Sequence, residues 1–303
     1  MAAPLVGTSR KSVMRPGPAF YKMSGSGNDF VFFDMRDDSA AELETIDSIR
    51  SISARGTGVG ADGVVFLDPG TADSFSIRYY NSDGSLGELC GNATLCSLRL
   101  ANELGLVSAK EVSIGTDAGI IRARMADGLP EIDLAAVTEV KPEFGEISRL
   151  QREDALGFAR AGVPHIVIVD QDVETADILG RGSQIRRDPS LRDGANVNFV
   201  SVSGSDWLIR TYERGVESET LACGTGAVAT GILLGEWGRA SSPVGLITRS
   251  GRRLEVRVRK DGDSWFPSLR GPAEIVFVGE LRSFLSPSLS PMTTAGSWHQ
   301  PLA

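Results

Sequence analysis

Two cysteines, Cys90 and Cys223, stand in matching sequence surroundings. Cys90 opens the run CGNATLCSLRLANELG, and Cys223 opens the run CGTGAVATGILLGEWG. Each run begins with Cys-Gly, continues with a polar residue and a helical pattern, and ends on a glycine. A thiol at the start of a helix lies among unpaired backbone N–H groups and at the positive end of the helix dipole. Because such surroundings lower the pKa of a thiol, we expect two ionisable cysteines.

Two thiols on opposite faces of one carbon atom could invert its configuration. One thiolate would remove the proton, and the opposite thiol would return one; like groups suit a reversible reaction, because each must act as acid and as base. The N–H groups of a helix start can also hold a carboxylate, and donors around it would stabilise the enolate character of the carbanion. The pattern therefore predicts a racemase or epimerase of amino acids that uses no cofactor.

The third cysteine, Cys96, receives a different interpretation. A lone cysteine is more often a small buried apolar residue than a catalyst. Ala229 stands at the corresponding place in the second run, so we interpret Cys96 as structural. The repeated Cys-Gly starts favour the catalytic interpretation for the other two.

The likeness between the two runs extends to other segments at nearly one offset, 132 to 136 positions. The matching pairs are 76–80 with 208–212, 60–62 with 194–196, and, more loosely, 27–34 with 162–170. Four matches in the same order predict two related domains that face each other. Pockets commonly form between domains, so we expect the site there.

Short β-rich runs and four helical segments recur along both halves. The expected strands are 30–34, 63–67, 75–80, 120–125, 165–170, 197–202, 207–212, 254–259 and 274–278, and the expected helices are 40–54, 92–104, 172–181 and 224–236. The last helix has apolar residues at helical spacing and many small residues, so we expect the sheet of its own domain to wrap around it.

We expect an N-terminal domain of residues 20–137 plus 272–285 and a C-terminal domain of residues 138–271, with a linker near 141–145. Residues 1–19 and 286–303 are expected to be disordered tails, since both are rich in Pro or Ser. A chain of 303 residues is long enough for two domains that each bury a core.

The composition excludes several classes of protein. A net charge of −8 argues against a nucleic-acid partner, which would favour a basic face. No apolar run approaches the ~20 residues of a membrane-spanning helix, so we expect no membrane partner. Three cysteines do not form a disulfide framework, and they indicate a reducing compartment, here the cytoplasm.

Other motifs in the sequence give only weak support for a nucleotide-binding loop, a metal site or a Cys–His hydrolase. Gly58, Gly60 and Gly63 have the G-x-G-x-x-G spacing, but they follow a helical pattern and lead into a strand, the reverse of a nucleotide-binding loop. With only His165 and His299 in the chain, we expect no histidine-rich metal site. A Cys–His hydrolase could use only His165, and it would leave the second cysteine run unexplained.

Several further motifs accompany the cysteines in a fixed order. They are Ser26-Gly27-Asn28-Asp29-Phe30, Gly60-Ala61-Asp62-Gly63, Tyr80-Asn81-Ser82-Asp83-Gly84-Ser85, Cys90-Gly91-Asn92, Pro164-His165, Ala195-Asn196-Val197-Asn198-Phe199, Glu213-Arg214-Gly215 and Ala222-Cys223-Gly224-Thr225-Gly226. In this set and order the chain resembles the diaminopimelate epimerase family over about residues 20–283. The resemblance implies two pseudo-symmetric α/β domains, each a curved, mostly antiparallel sheet around a central helix. It also implies a cofactor-independent cytoplasmic homodimer that interconverts LL- and meso-diaminopimelate for lysine and peptidoglycan synthesis.

The resemblance also implies roles for individual residues. Cys90 and Cys223 would be the catalytic thiols, and His165 would support the site. Substrate-binding roles would fall to the backbone around the cysteines and to a set of polar side chains: Gly91, Asn92, Gly224 and Thr225 at the reacting carboxylate, and Asn28, Asp62, Asn81, Asn196, Glu213 and Arg214 elsewhere on the substrate. A distal amino-acid group needs a cation and an acceptor, which Arg214 and Glu213 offer side by side.

Departures from the family pattern leave alternatives open. Val163 stands where the family usually has Asn, and Ala93 stands where it usually has Gly. Val163 bears on substrate choice, so a racemase of another amino acid on the same fold remains an alternative. Proline-like substrates are disfavoured, because they have no distal group for Glu213 and Arg214. A non-catalytic amino-acid-binding protein is the alternative from another class.

Overall fold

The computed structural model describes residues 17–87 and 89–281. Its N-terminal half contains β1 (Ala19–Gly25), β2 (Asn28–Asp34), α1 (Ile46–Ser53), β3 (Gly63–Thr71), β4 (Ser74–Asn81), β5 (Leu86–Gly87), α2 (Gly91–Glu103), β6 (Val112–Thr116), β7 (Gly119–Ala126) and β8 (Leu129–Asp133). The C-terminal half contains β9 (Val140–Lys141), β10 (Glu153–Ala161), β11 (Val163–Asp170), α3 (Ile178–Arg186), β12 (Asn196–Ser203), β13 (Asp206–Glu213), β14 (Ser218–Thr220), α4 (Gly224–Glu236), β15 (Val244–Ile247), β16 (Arg253–Asp261), β17 (Ser264–Arg270) and β18 (Ala273–Glu280).

The strands of the two halves are arranged in the same order. In the N-terminal half the hydrogen-bonded order is β18-β1-β2-β3-β4-β6-β7-β8. In the C-terminal half it is β9-β10-β11-β12-β13-β15-β16-β17. The pairs β2–β3, β4–β6, β11–β12 and β13–β15 are parallel, and the others are antiparallel. This architecture confirms the expected α/β fold of two related, mostly antiparallel halves.

The halves meet at β8 and β17, which pair with each other in antiparallel fashion. The final strand of the chain, β18, lies beside β1 in the sheet of the N-terminal half. Strand β9, which follows the N-terminal half, pairs with β10 of the other sheet. The N-terminal sheet therefore receives its outermost strand, β18, from the end of the described chain, whereas the C-terminal sheet begins with its own first strand, β9.

Each half holds one central helix against its sheet. Helix α2 contacts β1, β4, β7, β8 and β18, and helix α4 contacts β10, β11, β12, β16 and β17. Every residue of α4 from Gly226 to Leu234 is buried. Small residues allow this close approach: a Cβ added at Gly231 would lie 2.8 Å from Cγ1 of Val256. Both helices and the β8–β17 junction belong to one continuous apolar core.

Helices α1 and α3 cover the outer faces of the two sheets, over separate apolar clusters. The side chain of Thr45 accepts from Ser48 N at the start of α1, and that of Asp177 accepts from Gly180 N at the start of α3. These caps shorten the first helix expected from the sequence, 40–54, to 46–53 and move the third, 172–181, to 178–186.

The sequence prediction missed nine strands: β1, β5, β6, β8, β9, β10, β14, β15 and β17. Strand β9 overlaps the expected linker at Lys141, and β17 contains a proline, Pro267. The expected tails lie outside the described residues except for residues 17–19, and Ala19 already belongs to β1. No helix in the described part of the chain is long and apolar enough to cross a membrane.

Candidate active site

The two cysteines occupy the same position at the starts of the central helices. Cys90 is the N-cap residue of α2, with φ −125° and ψ 112°, and Cys223 is the N-cap residue of α4, with φ −137° and ψ 109°. Each carbonyl accepts the first helical hydrogen bond, from Thr94 N and Ala227 N respectively, both at 2.9 Å. Both thiols therefore project from extended backbone just before a helix begins.

The two helix starts lie close together above the junction of the halves. A Cβ added at Gly91 would lie 3.4 Å from Cδ2 of Leu269, and one added at Gly224 would lie 3.0 Å from the same atom. The position at Gly224 is also 3.9 Å from Oδ1 of Asn92, which belongs to the other helix. Because glycine follows each cysteine, both helix starts can approach one leucine side chain.

One cleft of about 750 Å³ opens above these helix starts. Ten of the residues singled out in the sequence line it: Asn28, Asp62, Asn81, Cys90, Gly91, Asn92, Glu213, Cys223, Gly224 and Thr225. The cleft therefore brings together both cysteines, both Cys-Gly backbones and polar side chains from both halves.

A chain of hydrogen bonds ties the start of α2 to the N-terminal wall of the cleft. Asn92 Nδ2 donates to Asn28 Oδ1 at 2.7 Å, and Asn28 Nδ2 donates to Asp62 Oδ2 at 2.9 Å. Arg55 Nη2 in turn donates to Asp62 Oδ1 at 2.7 Å and to Asp29 Oδ1 at 2.6 Å. Asp62 thus orients Asn28, and Arg55 forms an ion pair with Asp62.

Asn92 also presents an acceptor near the facing helix. Its Oδ1 is buried and has no hydrogen-bond partner among residues 17–87 and 89–281. A buried acceptor without a partner costs free energy unless a ligand or water supplies a donor. The orientation fixed by Asn28 makes this oxygen available to a donor group of a ligand.

The two thiols have different neighbours within the shared cleft. Cys223 Sγ accepts from Gly226 N at 3.4 Å and lies 3.6 Å from the Thr225 hydroxyl oxygen. The side chain of Cys90 caps no backbone N–H of α2. Burial raises the pKa of Cys90 to about 11 and that of Cys223 to about 12, and the nearby charge of Glu213 adds to both shifts.

This direction differs from the expectation that a helix start lowers a thiol pKa. The backbone N–H groups of Asn92 and Ala93 do lower the pKa of Cys90, and that of Gly226 lowers the pKa of Cys223. Their effect is smaller than the cost of placing a thiolate in a buried site. Both cysteines are therefore neutral thiols in the empty cleft near pH 7.

Three of the predicted residues do not line the cleft. Asn196 Oδ1 accepts from Arg214 N at 2.8 Å, and Arg214 Nη1 donates to Asp193 O at 2.7 Å. His165 is fully buried with its Nδ1 3.2 Å from Asn198 Nδ2, and burial lowers the pKa of His165 to about 3. His165 is therefore neutral and packs beneath the site.

A family model described as diaminopimelate epimerase matches residues 20–136 and 157–276. The chain belongs to the diaminopimelate epimerase family.

Named relatives of this family cover nearly the whole chain. The diaminopimelate epimerase of Gemmatimonas aurantiaca is 44% identical over 274 residues, spanning 87% of this chain and 99% of that one. The diaminopimelate epimerase of Aquifex aeolicus is 39% identical over 274 residues, spanning 86% and 97%. The crystal structure of a Bacillus anthracis PhzF-family phenazine biosynthesis protein has a TM-score of 0.66 at 15% identity, covering 87% of this chain and 98% of that one. At this identity the likeness shows the fold alone.

The two departures from the diaminopimelate epimerase family pattern have different surroundings. Val163 opens β11 and is not among the residues that line the cleft. Ala93 is fully buried in the first turn of α2, directly beneath the cleft.

Sequence reasoning missed four polar residues of the cleft wall: Arg55, Tyr79, Glu219 and Thr220. Tyr79 lies two residues before Asn81 on β4, and alternate residues of a strand share a face. The recognised Asn81 could therefore have indicated Tyr79. Arg55 lies before the glycine-rich turn, where only the tertiary fold brings it to Asp62. The described residues contain no group of three or more His, Cys, Asp or Glu that could hold a metal ion.

Proposed function

We propose that this enzyme interconverts LL- and meso-diaminopimelate with Cys90 and Cys223 as its two proton-transfer groups and without a cofactor. One observation carries this proposal: the two Cys-Gly helix starts meet over Leu269 and open into one cleft. One thiolate removes the α-proton, and the thiol of the other half returns a proton to the opposite face. Each group then serves as acid in one direction and as base in the other.

The helix starts supply the binding site for the reacting end of the substrate. The free N–H groups of Gly91, Asn92, Gly224 and Thr225 suit the α-carboxylate. They would also stabilise the negative charge that develops on it as the α-proton leaves. The unpartnered Asn92 Oδ1 is an acceptor for the α-ammonium group, in an orientation that Asn28 fixes.

Substrate binding favours ionisation of one thiol. In the empty cleft, burial and the negative charge of Glu213 hold both thiols neutral. The two ammonium groups of diaminopimelate bring positive charge beside Glu213 and the cysteines. An opposite charge nearby lowers the pKa of a thiol, so the reactive thiolate forms only with substrate present.

The distal amino-acid end is bound by Glu213, Asn81, Arg214 and Asn196. Glu213 and Asn81 end two corresponding strands and line the cleft. Arg214 follows Glu213 directly, and its side chain donates a hydrogen bond to the carbonyl of Asp193. A change of side-chain conformation at Arg214 brings a cation to the same end of the cleft, where it pairs with the distal carboxylate.

The direct test is solvent deuterium exchange. LL-diaminopimelate in D₂O should become meso-diaminopimelate with one deuterium at the inverted carbon, as measured by NMR and chiral chromatography. A panel with proline, hydroxyproline and histidine tests the alternative substrates. Exchange with one of these and none with diaminopimelate would assign another substrate. Binding of diaminopimelate without exchange would mean an amino-acid-binding protein.

We also propose that the enzyme is a cytoplasmic homodimer. Among the described residues β18 pairs only with β1, and its exposed apolar side chains include Val276 at 58% and Val278 at 59% exposure. An apolar edge strand is a favourable surface for a second copy of the chain. Light scattering of Val276→Lys should give a monomer where the unaltered enzyme gives a dimer.

A further inference from the structure

Tyr79 lies in the cleft wall and has no part in the function proposed above. Its ring occupies a slot between two glycines on the neighbouring strands. A Cβ added at Gly63 would lie 2.5 Å from the Tyr79 Cε2 atom, and one added at Gly87 would lie 2.5 Å from its Cδ1 atom. Phe30 packs edge-on against the ring at 6.1 Å. The ring is therefore held in one position, and only its hydroxyl can reorient.

The hydroxyl of Tyr79 has Asn81 as its hydrogen-bond partner and Cys90 as a neighbour in the cleft. It donates to Asn81 Oδ1 at 3.0 Å. Asn81 Nδ2 donates to Ser85 Oγ at 3.0 Å, and that hydroxyl donates to Asp83 Oδ1 at 2.6 Å. The side chain of Cys90 lines the same cleft as Tyr79, and both residues also line a second, smaller gap beside Gly87. A negative charge on Cys90 would raise the pKa of Tyr79. The hydrogen-bond chain leaves the hydroxyl proton free to point either to Asn81 or to Cys90.

We propose that Tyr79 is a positioning residue for Cys90, whose hydroxyl donates to Asn81 while Cys90 is a thiol and to the sulfur while Cys90 is a thiolate. The tyrosine keeps its own proton throughout, and only the direction of its O–H bond changes. The hydroxyl thereby stabilises the thiolate in the half of the cycle in which Cys90 acts as base. This inference rests on the two-thiol function proposed above.

The residue that corresponds to Tyr79 in the C-terminal half does not offer its hydroxyl group to Cys223. Thr211 occupies on β13 the place of Tyr79 on β4, and its hydroxyl donates to Asn198 Oδ1 at 2.9 Å in the buried core. Cys223 instead has the Thr225 hydroxyl at 3.6 Å. Asn92 stands in the position of Thr225 in the first half and has no hydroxyl. Each sulfur thus has one hydroxyl group in its surroundings, from Thr225 for Cys223 and from Tyr79 for Cys90.

The test compares Tyr79→Phe with Tyr80→Phe. The first variant keeps the ring in its glycine slot and removes the hydroxyl; the second removes a hydroxyl that donates to Glu44 Oε1 at 2.8 Å, outside the cleft. Each protein is alkylated with iodoacetamide between pH 7 and pH 10, and the modification of Cys90 and Cys223 is followed separately by mass spectrometry. Circular dichroism and thermal unfolding confirm that both variants are folded.

In Tyr79→Phe we expect Cys90 to react about tenfold more slowly at a given pH, because loss of a hydrogen bond to a thiolate shifts its pKa upward by about one unit. Cys223 should react at its usual rate. The value of kcat/KM should fall by the same factor in both reaction directions, because the equilibrium constant between the stereoisomers fixes the ratio of the two values. Tyr80→Phe should leave both cysteines and turnover unchanged.

An unchanged Cys90 rate in folded Tyr79→Phe would overturn the proposal, and so would equal slowing of both cysteines, which would mean a general structural change. The proposed function has a separate outcome. A slowing confined to Cys90, in an enzyme whose unaltered form exchanges no proton of diaminopimelate, would support the Tyr79 contact and contradict the epimerase.

Discussion

The two halves of the site, around Cys90 and Cys223, have nearly identical helix starts but different polar residues on the neighbouring strands. Helices α2 and α4 each have 13 residues, and their N-cap cysteines have nearly the same φ and ψ. The corresponding strands β4 and β13 each have eight residues, but β4 ends on Asn81 and β13 ends on Glu213. The duplicated part carries the proposed proton-transfer groups, and the divergent part is the polar wall.

This difference matches the symmetry of the reaction. Inversion at one carbon needs a proton-transfer group on each face, and like groups suit a reversible reaction. A duplicated helix start would provide both. The substrate itself is not symmetric about that carbon, because a second amino-acid group lies on one side only. The two strand ends therefore suit an asymmetric substrate, because one half offers the charge of Glu213 and the other the uncharged amide of Asn81.

The largest expected effect tests the two cysteines at the matching helix starts. Cys90→Ala and Cys223→Ala should each lose epimerisation by roughly 10²–10⁴-fold or more, because each removes one of two obligatory proton-transfer groups. Turnover is measured from both stereoisomers. Cys96→Ala, which alters a fully buried thiol outside the cleft, is the matched control and should retain activity. Full activity in either of the first two variants would end the two-thiol mechanism.

The next largest effect tests Glu213, at which the polar walls of the two halves differ. Glu213→Gln should lower kcat/KM for diaminopimelate by roughly 10–100-fold, the usual loss for a hydrogen bond to a charged group. The loss should be much smaller for an amino acid without the distal group. Glu217→Gln makes the same change of charge outside the cleft and should have little effect. Equal losses for both substrates would place Glu213 at the reacting carbon instead.

Arg214→Ala tests whether Arg214 is the cation that binds the distal carboxylate of the substrate. Since Arg214 does not line the empty cleft, its proposed role requires its side chain to move when substrate binds. The variant should raise KM for diaminopimelate by roughly tenfold or more and leave kcat for a substrate without the distal group unchanged. An unchanged KM would show that Arg214 remains bound to Asp193, and Arg55 would be the next cation to test.

The pH dependence of the two thiols follows from their raised pKa values. An acid whose pKa lies above the pH is ionised in a fraction that rises tenfold per pH unit. With a pKa of about 11 for Cys90 and about 12 for Cys223, alkylation of both in the substrate-free enzyme should accelerate steadily from pH 7 to pH 10. Cys90 should react about tenfold faster than Cys223. A plateau below pH 9 for either cysteine would contradict its raised pKa.

The sequence predicted the duplicated architecture because both copies keep the residues on which local structure depends. The Cys-Gly starts and the small residues of α4 indicated two buried helices, and strands such as β3 and β13 have clear β-rich runs. Strands such as β10 and β17 were missed because their residues are buried by tertiary packing, which no local pattern reveals. The direction of the thiol pKa shifts was wrong for the same reason. The helix start is visible in the sequence, and the burial that outweighs it is not.

The smallest expected effect concerns one position at which the two helix starts differ. Ala93 stands in the first turn of α2, and Gly226 stands in the corresponding place in α4. A Cβ at Gly226 would lie 2.3 Å from Asn198 Oδ1 and 3.2 Å from Cys223 Sγ. Gly226→Ala should therefore destabilise the fold by about 1–3 kcal/mol and reduce turnover several-fold by displacing Cys223.

Gly235→Ala is the matched control in the same helix. A Cβ at Gly235 meets no atom within 4 Å, so this variant should stabilise the protein by up to about 1 kcal/mol through helix propensity and leave turnover unchanged. Urea unfolding and turnover are measured for both variants. If Gly226→Ala were as stable and active as Gly235→Ala, the helix start at Cys223 would tolerate the alanine that the Cys90 helix carries. Contact with Asn198 would then be no reason for the glycine.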